Sequence, residues 1–100
     1  MRYQFDWDPT KEKQNVHKHR VSFRRAATVF HDSNQLSLFD DTHSDEEDRW
    51  ITLGIDNGGV LRTVVHTYNQ IDENKCIIRI ISARKATDAE SRQYEEGLSV

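Results

Sequence analysis

The sequence holds one cysteine, Cys76, which excludes an intrachain disulfide and a cysteine-built zinc site. Set in the run Cys76-Ile77-Ile78, the thiol reads as a small buried hydrophobe. No apolar stretch approaches the ~18 residues of a membrane span, and residues 1–6 lack a signal-peptide core, so a cytoplasmic protein without membrane contact is expected. Proline occurs once and glycine four times. With no linker, low-complexity segment or internal repeat, residues 1–100 are expected to form a single domain. A positive balance is lacking too: the net charge of −3, taken as an average, speaks against a nucleic-acid binder.

The average conceals a strong segregation of charge. Residues 9–25 carry six cations (Lys11, Lys13, Lys18, Arg20, Arg24, Arg25) against Glu12, and residues 75–86 carry four (Lys75, Arg79, Arg84, Lys85) against no acid. Residues 40–48 hold six acids, Asp40, Asp41, Asp45, Glu46, Glu47 and Asp48, with no Lys or Arg. A local cationic surface is what a phosphate backbone responds to. The acidic run lacks the glycine and spacing of a calcium loop, and His17 and His19 have no third ligand in view, so no metal is assigned. The run reads as solvated, as a surface that repels RNA from one side, or as an acceptor for a basic segment of a partner. Hydrophobics at 35% and charged residues at 31% describe a globular chain with a modest core.

Asp8 followed by Pro9 marks a helix start, with an acidic cap and proline where its missing donor costs nothing. That helix is expected to reach about residue 18 and to be mostly polar. Ser22 caps a second, whose Phe23, Ala26, Ala27 and Phe30 fall at i, i+3, i+4 and i+7 as one buried stripe. Residues 36–39 suggest a short strand. Residues 50–55 and 60–68 flank Asn57-Gly58, a strong hairpin signal. A polar loop, 69–74, leads to a third strand over 76–82, and Thr87 with Glu90 forms a capping box for a C-terminal helix that Gly97 ends near residue 96. The expectation is an α+β domain: N-terminal helices on an antiparallel meander, with a short C-terminal helix.

A two-residue Asn57-Gly58 turn sets Arg49 opposite His66 and Leu53 opposite Arg62. If Tyr68 pairs with Lys75, then His66 faces Ile77 and Val64 faces Arg79. Arg49, Arg62, His66 and Arg79 then share one face, and Trp50, Leu61, Thr63, Val65, Ile78 and Ile80 the other, towards the helices. An imidazole among guanidinium groups can move a proton while the cations bind a phosphodiester. On this face His66 and Arg79 are candidate catalytic residues, and Arg49 and Arg62 candidate phosphate contacts on RNA. Arg84, a further catalytic candidate, and Lys85, a further contact, stand at the strand end beside the Thr87 helix start, where backbone donors and the helix dipole also favour an anion. Each has a plainer alternative: a hydrogen-bonded histidine at a strand end, or an arginine in a fold-stabilising ion pair. Tyr94 reads as core.

Several ordered blocks carry a family resemblance: Phe5-Asp6-Trp7-Asp8-Pro9, Lys18-His19, Ser22-Phe23, Ala26-Ala27, Phe30, Asp48-Arg49-Trp50, Val65-His66-Thr67 and Ile80-Ile81-Ser82-Ala83-Arg84. Together they resemble the BrnT family, toxins of bacterial type II toxin–antitoxin pairs. The resemblance implies a RelE-like fold and a metal-independent endoribonuclease with no cofactor. It also implies a small DNA-binding antitoxin of ribbon-helix-helix type, through which operator DNA is contacted indirectly, and inhibition of translation and growth. A non-catalytic toxin acting on a protein target, or a corepressor, are the competing classes.

Overall fold

Residues 2–98 are described by the computed structural model. A strand, β1 (Arg2–Asp6), opens the chain and α1 (Pro9–His19) follows. The Asp8 carboxylate caps α1 by accepting from the Thr10 N–H at 2.8 Å, and Arg20 ends it in the left-handed region at φ 60°. Ser22 caps α2 (Phe23–Ala27), accepting from the Arg25 N–H at 3.1 Å, before the chain tightens into a 3-10 turn over Thr28–His31. Four strands come next, β2 (Leu36–Asp40), β3 (Arg49–Ile55), β4 (Leu61–Gln70) and β5 (Lys75–Lys85), with a 3-10 turn over Asp41–His43 between the first two. The last element, α3 (Asp88–Leu98), runs through Gly97 instead of stopping before it.

The strands form one sheet in the order β1-β5-β4-β3-β2. The α+β class stands, but the sheet is mixed, because β1 lies parallel to β5 with Phe5 beside Ile78. Such an edge strand borrows its stability from a neighbour far away in sequence, and its five residues carry little signal of their own.

Both expected registers are corrected. The Asp56 N–H donates to the Val60 carbonyl at 2.9 Å, and Gly59 takes φ 82°, so the first hairpin has a three-residue loop ending in a left-handed glycine. The pairs become Trp50–His66 and Leu53–Thr63. The second hairpin closes between Ile71 and Lys75, and a bulge between Val65 and His66 adjusts β4 against β5. His66 consequently faces Ile80, and Arg79 faces Thr67. Since a one-residue slip turns every side chain over, the predicted faces split. His66 and Arg62 turn towards the helices with Trp50, Ile78 and Ile80, whereas Arg49 and Arg79 stay on the open face with Leu61, Thr63 and Val65.

The core lies between sheet and helices and includes Val21, Phe23, Ala26, Val29, Val64, Ile78, Ile80 and Ala83, all buried. A glycine and a buried amide set how closely the sheet and helices approach. Gly54 sits under the 3-10 turn, where an added Cβ would come within 2.9 Å of the Val29 Cβ. Asn15, the buried residue of polar α1, donates to the carbonyls of Val21 (3.1 Å) and Ala83 (2.9 Å) and accepts from the Ala83 N–H at 3.1 Å. On the opposite face α3 covers the far end of the sheet, where the Tyr94 hydroxyl donates to Asp32 at 2.6 Å. Among the described residues no helix is long and apolar enough to cross a membrane.

Candidate active site on the open sheet face

One row of side chains crosses the near end of the open face. Asp6 pairs in register with Arg79, Arg79 with Thr67, and Arg49 with Asp40. Arg49 precedes Trp50, the partner of His66, so it stands on the same side as Thr67 and in line with it. Two guanidinium groups thus flank a threonine hydroxyl, with a carboxylate at each end of the row. Arg79 keeps 43% of its side chain exposed and holds an ion pair with Glu47 from the acidic segment, itself 40% exposed. Asp6, Glu47, Asp48, Thr67, Ile77 and Arg79 line a depression of about 430 Å³ at this point.

The other candidates lie elsewhere. Arg84 is also on the open face, opposite Thr63, four residues along β4 from Thr67 and hence roughly 13 Å from the Arg79 row. Its guanidinium grips Glu90 with two bonds, 2.7 and 3.0 Å. That hydrogen bonding raises the Arg84 pKa despite burial, and holds the Glu90 carboxyl down at about 2. Glu90 also accepts from the Thr87 N–H at 2.9 Å, completing the capping box of α3. Lys85 is exposed but faces the helix side, opposite Arg62. Arg62 is buried, its Nε donating at 2.9 Å to Asp56, whose other oxygen accepts from Gly58 and Val60. It secures the first hairpin.

His66 is fully buried. Phe30 and Tyr68 meet its ring edge-on at 4.9 and 4.8 Å. Its Nε2 lies 2.6 Å from the Thr52 hydroxyl and its Nδ1 3.3 Å from the Thr67 carbonyl. A carbonyl only accepts, so Nδ1 carries the proton and Nε2 accepts from Thr52. Burial drives the His66 pKa down to about 4, so the ring is neutral near pH 7. It reaches the open face only through the Thr67 backbone.

Of the six candidates from the sequence, the structure brings Arg49 and Arg79 into one row, beside Asp6, Thr67 and Glu47, which the sequence did not single out. Thr67 and Asp6 both stand inside the family-like blocks, next to residues that had been singled out. Glu47 was hidden in a run of acids, from which no local signal separates one carboxylate.

A mixed five-stranded sheet, with α1 and α2 on one face and, on the other, α3 at the far end and a row of guanidinium and carboxylate groups at the near end, defines a small α+β protein. The family follows from the sequence: residues 7–90 match the family described as ribonuclease toxin, BrnT, of type II toxin–antitoxin systems, and the chain belongs to it. A similar fold occurs in the 1.1 Å crystal structure of the Brucella abortus ribonuclease toxin BrnT, with a TM-score of 0.59 at 20% identity over 88% of this chain and 100% of that one. No curated protein matches the chain in sequence.

Proposed function

We propose that the chain is an endoribonuclease that cleaves RNA without a metal ion, by attack of a ribose 2′-hydroxyl on the adjacent phosphate. It thereby inhibits translation and growth until a DNA-binding antitoxin of ribbon-helix-helix type silences it. The observation that carries this reading is the row Arg49–Thr67–Arg79 with Glu47 resting on Arg79.

In this reading the phosphodiester lies across the row. Guanidinium groups present planar, forked donors suited to phosphate oxygens, and they act most strongly where negative charge develops. Glu47 is the carboxylate placed to take the 2′-hydroxyl proton as the O2′–P bond forms. The P–O5′ bond breaks, and the leaving oxygen acquires a proton from solvent at this open surface. The nucleophile belongs to the substrate, so the protein needs only to orient, to accept a proton and to stabilise charge. The proton-transfer role first expected of His66 passes to Glu47, because the imidazole is enclosed and weakly basic. Arg84, Arg62 and Lys85 leave the site, since the first two serve ion pairs of the fold and the third faces away.

Cleavage of a defined RNA, assayed with and without a chelator, tests the proposal. Expected are unchanged rates in chelator, a 2′,3′-cyclic phosphate product, and rates lowered ~10²–10³-fold by Arg79→Ala and ~10²-fold or more by Glu47→Gln. Loss of activity in chelator, restored by a divalent ion, would overturn the metal-free mechanism. Growth arrest with intact RNA would instead favour a protein target.

A further inference from the structure

A continuous line of aromatic rings runs from the core out to solvent on the helix side of the sheet. Phe5 meets Phe30 at 5.5 Å, Phe30 meets His66 at 4.9 Å, His66 meets Tyr68 at 4.8 Å, Tyr68 meets Trp50 at 5.5 Å, and Trp50 meets Phe39 at 5.3 Å. Exposure rises along it, from none at His66 to 45% at Phe39. The cause lies in the layering. Helices α1 and α2 lie over β5 and the 3-10 turn lies over β3 at Gly54, so the ends of β2, β3 and β4 emerge uncovered. Phe39 stands on β2, an edge strand whose Leu38 is 37% exposed on the other side. Large exposed rings on a strand edge mark a place where another chain can add.

The charge beside these rings has one sign. Residues 41–48 connect Phe39 to Trp50 through their strands, and in this segment Asp41, Asp45, Glu46 and Asp48 are exposed. None of the four has an ion-pair partner among the described residues; Asp40 is taken by His43 at 3.0 Å and Glu47 by Arg79. Asp48 shares a depression with Tyr68, and Asp45 and Glu46 line a hollow beside Arg49, so the segment bends round the strand ends that carry the rings, and its carboxylates repel a phosphate backbone and attract cations.

We propose that the Phe39–Trp50–Tyr68 patch and the acidic segment beside it form the docking surface for a basic amphipathic segment of the cognate antitoxin. Apolar anchors of that segment cover the rings, and its Lys and Arg residues meet Asp41, Asp45, Glu46 and Asp48. This gives Asp41, Asp45 and Glu46, which stand outside the proposed catalytic row, complementary partners, and steers association as opposite surface charges do. Because Glu47 belongs to the same segment, clamping it holds Glu47 on Arg79 and closes the row to RNA. The inference rests on the reading of the chain as the toxin of a pair, and names the surface by which it is silenced.

The test uses the full chain purified with the antitoxin encoded beside it. Antitoxin affinity is measured at two salt concentrations for wild type, Phe39→Ala and the triple variant Asp41→Asn, Asp45→Asn, Glu46→Gln, and RNA cleavage by each free toxin is measured in parallel. Phe39→Ala is expected to weaken the complex roughly 30-fold, as truncating an aromatic interface anchor does. The triple variant should bind more weakly and with a shallower salt dependence. Both free variants should cut RNA as wild type does, which gives toxins that escape neutralisation. Complexes of wild-type affinity and salt dependence in both variants would overturn the proposal. So would a Phe39→Ala toxin that binds antitoxin normally but has lost RNA cleavage, since the rings would then serve the substrate. If the wild-type chain cut no RNA at all, the affinities would still decide this proposal while the ribonuclease reading fell.

Discussion

Arg79 and Arg84 place the same guanidinium on the same face of one strand, yet their partners give them different duties. Arg79 is tied to one half-exposed carboxylate, a kind of pair worth about 0–1 kcal/mol, so removing it should hardly change stability. Arg79→Ala is expected to abolish most cleavage while the melting temperature moves by a few degrees at most. Arg84 is bound at both its terminal nitrogens by Glu90, which also caps α3. Arg84→Ala should therefore lower the melting temperature and loosen α3, leaving the turnover of folded molecules close to wild type. His66 belongs with Arg84 in this respect. Its removal deletes two ring contacts and one of the two hydrogen bonds of the Thr52 hydroxyl, which keeps Ser37 at 2.7 Å, and opens a cavity in the core, so His66→Ala should destabilise the fold by about 2–5 kcal/mol. Thermal melts beside cleavage rates separate the two classes of residue; an Arg84→Ala protein that is fully stable but inactive would return Arg84 to the site.

Elements whose start is written in neighbouring residues were legible in the sequence. The caps at Asp8, Ser22 and Thr87 each answer a backbone N–H two or three residues on, a contact that needs no tertiary structure. The strand β1 and the faces of the hairpins were not legible, because they depend on pairing across the sheet and on how many residues a loop spends. Asn57-Gly58-Gly59 can close with two residues or three, and a glycine at φ 82° chose three. That one residue carried His66 into the core and left Arg49 and Arg79 together outside. The docking of α1 was equally hidden. Its apolar residue Val16 is exposed, and the helix is pinned to β5 by Asn15 instead. Asn15→Ala leaves both backbone groups of Ala83 short of a partner, and should cost about 2–3 kcal/mol by urea denaturation. A loss under about 0.5 kcal/mol would mean that water replaces the amide.

At the scale of the whole molecule the buried groups set how the fold responds to acid, in two separable windows. The folded state holds His66 at about 4, against 6.5 in the unfolded chain, because burial disfavours the imidazolium. The unfolded state then binds the proton more readily, so stability is intact above pH 6.5 and falls as the pH drops towards 4. The difference corresponds to about 3 kcal/mol, a large share of the 5–15 kcal/mol typical of a domain. Glu90 acts lower down. Its hydrogen bonds to Arg84 hold the carboxyl near 2 instead of 4.5, so its contribution is present above pH 4.5 and is lost as the pH falls to 2. Urea unfolding between pH 7.5 and 3 should therefore show a first decline centred between pH 6.5 and 4, and a further one beneath it. In His66→Gln the first decline should disappear, whereas Arg84→Ala should reduce only the second, to which Asp32 and Asp56, against burial also held below the ordinary carboxylate range by their hydrogen bonds, contribute as well. A first decline that persisted unchanged in His66→Gln would show that another group causes it and that the imidazole titrates alike in the folded and unfolded chain. His66 would then regain the basicity that a catalytic proton acceptor needs.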